Sequence, residues 1–277
     1  MPFDLNNISG IEQARADEAW YVLRGKEPII VIDTGIDINH EDLKNKIDTS
    51  KAYNTADGNT DVRDFVHHGS HISGIAAAQS NNGLGMASVA WDSPIIPIKM
   101  FPGKTHKNLS PDLMVRAIDH VTTNLEQQKI INYSTGFEIP EMSLICAVHV
   151  LEVKLLGIPV FLPPCIEQIE EIKDRVDARG MVCNAVNAAI QKDKIIVAAA
   201  GDSDSTKKVY PAACNNVISV AAVEPSDPLN FTLNPVRWVG IPTLGACPRT
   251  NIQVSRLFLN YHPILLYRQY TNTRLSI

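Results

Sequence analysis

Short apolar runs alternate along the chain with segments that have the length and spacing of amphipathic helices. The run "PIIVID" at 28–33 is continuous and ends on a carboxylate. Similar runs lie at 94–101, 129–134, 158–163, 194–201 and 216–223. Strands that are apolar without alternation are typical of a sheet buried on both faces. Their alternation with helices predicts an α/β fold with a mostly parallel central sheet.

Three helices are predicted between these runs. The first spans 68–78 and is rich in small residues, and the second spans 110–127 and is expected to be capped by Ser110. The third, at 166–191, is charged and amphipathic and is expected to cover an outer face of the sheet. After about residue 224 the pattern weakens and no final helix is predicted.

Polar residues stand where three of the predicted strands end. They are Asp33, Ser134 and the pair Gly201-Asp202. Ligands of open α/β sheets bind at the carboxyl ends of the strands, so one site is expected to collect all three.

Composition and charge restrict the classes of partner. The chain has 277 residues, of which 45% are hydrophobic, and this length suits one large domain with a proper core. A net charge of −5 argues against nucleic acid or an anionic membrane as the main partner. No apolar run approaches the length of a membrane-spanning helix, and the N-terminal residues show no signal-peptide pattern, so the sequence as written predicts a cytoplasmic protein.

The cysteines favour reduced thiols. Their number, five, is odd and none lies in a CxxC motif. Neither a disulfide framework nor a zinc site is therefore expected.

Three histidines crowd the segment "DFVHHGSHISG", namely His67, His68 and His71. They could form a metal site, because His residues three or four positions apart share a helix face. They could equally contain one working base. A His at a helix N-terminus needs a carboxylate partner to carry a proton, and the strand-end Asp33 is the candidate.

The motifs "DTGIDINHEDL" and "HGSHISG" resemble the Asp and His blocks of the subtilisin-like serine peptidases, the subtilases. Further likenesses follow in family order: "NNGLGMASVAWDSPIIPIKMF", "INYSTG", "IIVAAAGDSD", "YPAACNNVISVAAV" and a degraded "GACPRTNI". The resemblance covers about 15–255. It implies a subtilisin-like three-layer fold in which 1–277 form one catalytic domain. Three features depart from the family pattern: 137–193 are interpreted as an insertion, the C-terminal part is truncated or degenerate, and 256–277 form an atypical tail.

The resemblance also implies residue roles. Asp33 would be the acid of the catalytic triad and His68 the general base. Ser134, Thr135 and Gly136 would bind the backbone of a peptide or protein substrate as an added strand. His71 would be a non-catalytic His packed within the helix, and His67 has no family role. The metal interpretation is not favoured, because the adjacent His67 and His68 point to different faces and no HExxH motif is present.

Two departures from the family pattern concern activity. Asp202 stands where the family has the Asn that donates to the oxyanion, and an ionised carboxylate cannot donate. No Gly-Thr-Ser-Met nucleophile block occurs, and Ser255, Thr273 and Ser276 lack the required neighbours. We therefore expect an inactive or impaired endopeptidase, with a non-catalytic peptide-binding pseudoprotease or a fragment without activity as alternatives. An active protease with an unrecognised nucleophile is a third.

No cofactor is required by this chemistry. The resemblance implies a structural calcium site at Asp42 and Asn82. Two candidate ligands are few for calcium, and the alternative is a solvated Asp and an Asn in a turn.

Overall fold

The computed structural model describes residues 11, 14–104, 109–139, 146, 163–201 and 207–220. The helices are α1 (Ala16–Ala19), α2 (His68–Ala77), α3 (Pro111–Asn124) and α4 (Pro163–Gln191). The strands are β1 (Ile29–Asp33), β2 (Tyr53–Asn54), β3 (Ile95–Lys99), β4 (Ile130–Tyr133), β5 (Phe137–Glu138), β6 (Ile195–Ala199), β7 (Val209–Tyr210) and β8 (Ile218–Val220).

Six of these strands form one parallel sheet in the order β2-β3-β1-β4-β6-β8. Strand β1 is central, with Ile29 in register with Ile95 of β3 and with Ile130 of β4. All five residues of β1 are buried, as expected for a strand with a neighbour on each side and helices on both faces. The predicted α/β fold with a parallel sheet is confirmed.

The two faces of the sheet bury alternate residues of each strand. On one face, Ile30 and Ile32 belong to a hydrophobic cluster that includes residues of α3 and α4. On the other face, Ile29 and Val31 belong to a second cluster that includes Ala76 and Ala77 of α2. The result is a three-layer arrangement, with α3 and α4 on one face of the sheet and α2 on the other.

Most predicted elements are found close to their predicted limits. The second predicted helix begins after Ser110, whose Oγ accepts a hydrogen bond from Leu113 N at 3.3 Å. Helix α4 begins at Pro163, where a strand over 158–163 was predicted, and 158–162 lie outside the described residues. The two-residue strands β2, β5 and β7 were not predicted, because a strand that short leaves no periodic pattern.

Four of the five cysteines form disulfides, so the prediction of reduced thiols is wrong for them. The pairs are Cys146–Cys165 and Cys183–Cys214, each with one partner in α4. Their sequence spacing gave no sign of this, because the long helix brings together residues that are distant in the chain. Cys247 lies outside the described residues.

None of the helices among the described residues combines the length and apolar character that crossing a bilayer requires.

Candidate active site

Asp33 and His68 meet at the carboxyl end of the sheet. Asp33 is the last residue of β1 and His68 the first of α2, and His68 Nδ1 lies 2.7 Å from Asp33 Oδ1. Thr34 N also donates to Asp33 Oδ1, at 2.7 Å. The Asp33 side chain is 1% exposed and the His68 side chain is 46% exposed, so the carboxylate is shielded while the imidazole faces outward.

A glycine makes this contact sterically feasible. Gly69 follows His68, and a Cβ at that position would lie 2.2 Å from Gly35 O and 3.1 Å from Asp33 Cβ. Only a residue without a side chain lets α2 approach the end of β1 this closely. The small-residue character predicted for this helix therefore has a direct use at the site.

The electrostatics of the pair suit proton transfer. The hydrogen bond to Asp33 is the main cause that raises the pKa of His68; burial opposes it, and the charges of Asp33 and Asp64 add to the rise. With Nδ1–H donating to Asp33, Nε2 is left as the acceptor. The pair has the chemistry of an oriented general base.

Ser134, Thr135 and Gly136 directly follow β4, the neighbour of β1, and all three are half-buried. Asn132 Nδ2 donates to Ser134 Oγ at 2.9 Å. A Cβ on Gly136 would lie 2.6 Å from Tyr210 O, so this residue must be glycine for β5 to pair with β7. The segment lies at the same end of the sheet as Asp33, as predicted.

Gly201 follows β6, the strand beyond β4, and has a positive φ of 98°. The ends of β1, β4 and β6 therefore lie side by side, and the expectation of one shared edge holds for Asp33, Ser134 and Gly201. Asp202 is outside the described residues, as are Ser255, Thr273 and Ser276.

The other two histidines do not join a metal site. His67 is exposed and precedes α2 with a positive φ of 70°. His71 is also exposed, so the expectation that it packs within the helix is wrong. Among the residues that the structure describes, no group of three His, Cys, Asp or Glu side chains could hold a metal ion.

Asp42 and Asn82 are in contact, but their orientation does not suit calcium. Asn82 Nδ2 donates to Asp42 Oδ1 at 2.8 Å, and Met86 N donates to Asp42 Oδ2 at 3.0 Å. Asn82 Oδ1 accepts a hydrogen bond from Leu84 N at 3.0 Å. The side-chain oxygens that would bind the cation already accept N–H groups, whereas calcium needs six or more free oxygens. Calcium binding stays a prediction that this geometry does not favour.

Sequence analysis did not single out Asp64, a buried carboxylate beside the pair. It is 8% exposed. It accepts hydrogen bonds from Thr34, the residue after Asp33, and from Ser70, two residues after His68. Its position shortly before His68 was the only signal, and a lone Asp in a loop carries little weight by itself.

The geometry agrees with comparison to known proteins. A family model described as the subtilase family matches residues 25–256. The chain belongs to the subtilase family. This subtilase is 30% identical over 240 residues to the "Thermophilic serine proteinase" of Bacillus sp. strain AK1, a match that covers 85% of the chain and 48% of the relative. It is 29% identical over 230 residues to the "Major intracellular serine protease" of Bacillus subtilis strain 168, covering 79% and 59%.

Solved structures support the subtilase fold. A protease of Pseudoalteromonas arctica has a TM-score of 0.52 at 23% identity, over 74% of this chain and 59% of the other. A lanthipeptide protease has a TM-score of 0.52 at 19% identity, over 76% and 53%. At these identities the likeness shows the fold alone. The chain spans 48% and 59% of the two curated relatives named above, so those proteins are considerably longer than the subtilase chain described here.

Proposed function

We propose that this chain carries the acid–base pair and the substrate-binding edge of a serine endopeptidase, and that its 277 residues are inactive or strongly impaired in peptide hydrolysis. The observation that carries the first part is the 2.7 Å contact between His68 Nδ1 and Asp33 Oδ1 at the carboxyl end of the sheet. In the proposed roles Asp33 orients the imidazole and His68 accepts a proton at Nε2. The substrate class is a peptide or protein.

The second part rests on what the pair would act upon. A general base of this kind removes the proton of a serine hydroxyl, and the sequence contains no Gly-Thr-Ser-Met block to supply one. Asp202 stands at the proposed oxyanion position. Loss of one oxyanion donor costs roughly 2.7–4 kcal/mol of transition-state stabilisation, and a carboxylate there adds repulsion.

Labelling with a fluorophosphonate tests the proposal, because this reagent reacts with an activated serine. We expect no labelling and no hydrolysis of a casein or peptide-library substrate. The matched control is His68→Ala, which removes the base. A serine that is labelled in the wild-type chain and unlabelled in His68→Ala would overturn the proposal of inactivity.

A peptide-binding pseudoprotease is the second candidate, favoured by the half-exposed Ser134–Gly136 segment beside β4. Binding of an extended peptide library without turnover would support this candidate. Absence of both binding and turnover would support a chain that has no activity by itself.

Two observations bear on the cellular compartment. The sequence as written predicts the cytoplasm, whereas two disulfides favour an oxidising compartment.

A further inference from the structure

The Asp64 carboxylate accepts five hydrogen bonds. Three reach Oδ1, from Thr34 Oγ1 at 3.0 Å, Val66 N at 3.0 Å and His67 N at 2.9 Å. Two reach Oδ2, from Ser70 N at 2.9 Å and Ser70 Oγ at 2.7 Å. Burial opposes ionisation of this side chain, but the hydrogen bonds from Ser70, Val66 and His67 outweigh it and hold the pKa of Asp64 below its usual value.

These contacts connect the residues that flank the proposed pair. Thr34 is the neighbour of Asp33, and Thr34 Oγ1 donates to Asp64 while accepting a hydrogen bond from Gly69 N at 2.9 Å. Gly69 is the neighbour of His68. The carboxylate therefore closes a hydrogen-bonded path from the end of β1 to the first turn of α2.

Helix α2 also depends on this carboxylate for its N-terminal cap. His67 occupies the N-cap position in the left-handed conformation and makes no side-chain cap hydrogen bond. The first-turn N–H groups of Gly69 and Ser70 are satisfied instead by Thr34 Oγ1 and Asp64 Oδ2. An anion at this end of the helix also interacts favourably with the helix dipole.

We propose that Asp64 is a positioning residue, which fixes the loop before His68, the first turn of α2 and the end of β1 as one unit and so holds the imidazole against Asp33. This inference rests on the proposed function only in treating Asp33 and His68 as the acid–base pair. Among the residues that the structure describes, the charged groups that act on His68 are Asp33 and Asp64.

The test is Asp64→Asn, studied by proton and nitrogen NMR of the imidazole. The amide keeps the size of the side chain, removes the charge, and cannot accept at both atoms. We expect the pKa of His68 to fall towards its ordinary value and the Nδ1 proton signal to be lost through exchange. Amide exchange at Ser70 should speed up by about tenfold or more, since a hydrogen bond to a charged group is lost.

Asp61→Asn is the matched control. Asp61 is on the same loop but is paired with the exposed Arg63, at 2.7 Å. This variant should leave the His68 signals unchanged. Loss of the Asp64 charge lowers the His68 pKa by itself, so the Nδ1 proton signal decides: a purely structural role for Asp64 would lower stability and leave that signal in place.

If Asp64→Asn does not fold, Thr34→Val provides the test, because it keeps the charge of Asp64 and removes the two hydrogen bonds of Thr34 Oγ1, to Asp64 and from Gly69. We expect a smaller fall in the His68 pKa in this variant. A wild-type Nδ1 signal in folded Asp64→Asn, or a wild-type His68 pKa and Nδ1 signal in Thr34→Val where the first variant is unfolded, would overturn the inference. These readouts use no substrate, so a labelled serine would refute the proposed inactivity and leave this result unaffected.

Discussion

Two glycines on α2 allow the close approach of helix and strand to be tested by one type of substitution. An added Cβ at Gly69 would lie 2.2 Å from Gly35 O, whereas an added Cβ at Gly74 would meet only Met86 Sδ at 3.5 Å. The first distance is about 1.3–1.8 Å shorter than an ordinary van der Waals contact of about 3.5–4.0 Å. The carbonyl that it meets belongs to the backbone and cannot rotate away as a flexible side chain would.

We expect Gly69→Ala to push the start of α2 away from the end of β1. Overpacking of this kind lowers the free energy of unfolding by about 1–3 kcal/mol. A displacement of about 1 Å would also break the hydrogen bond between His68 and Asp33, which is 2.7 Å long. Gly74→Ala should instead stabilise the protein by about 0.5–1 kcal/mol, because alanine loses less backbone entropy in a helix.

Urea unfolding of the two variants measures the stability difference, and an NMR titration of His68 measures the electrostatic one. The His68 pKa should fall in Gly69→Ala and stay unchanged in Gly74→Ala. If both variants have the same stability and the same His68 pKa, the close approach at Gly69 does not control the geometry of the pair.

Two further predictions concern pH and the disulfides. Asp33 raises the pKa of His68 in the folded state above the unfolded value of 6.5, so His68 contributes stability that is fully present below pH 6.5 and is lost as the pH rises through the folded pKa. The variant His68→Gln should remove this part of the dependence of unfolding free energy on pH. Identical pH profiles for the wild-type protein and the variant would contradict the pKa shift. Replacing Cys183 and Cys214 by Ala should lower the free energy of unfolding by about 3–4 kcal/mol, since the disulfide closes a loop with a sequence separation of 31. Equal urea midpoints with and without the disulfide would show that the pair is not formed.

The sequence predicted the sheet well because each long strand is buried on both faces. Continuous apolar runs such as 28–33 and 194–201 need no long-range information to be recognised, and they correspond to β1 and β6. The cap at Ser110 was predictable for the same reason, since it depends on neighbours within one turn. The Asp and His motifs indicated the family in advance of any structure.

Other features depended on contacts between distant residues. The odd cysteine count suggested free thiols, but α4 carries Cys165 and Cys183 to partners far along the chain. His71 was expected to pack within the helix, yet it is exposed. A side chain's burial depends on which elements pack against its face, and local pattern does not contain that information.

By itself, the sequence determined that a parallel sheet presents Asp33 and Ser134 at one edge, because strand period and strand ends are local properties. Only the tertiary structure decided that His68 lies 2.7 Å from Asp33, that Gly69 permits this contact, and that Asp64 holds it. The physical reason is that the two residues are 35 positions apart and are joined by a long connection that includes β2. The path of that connection is set by packing and hydrogen bonds across the whole domain.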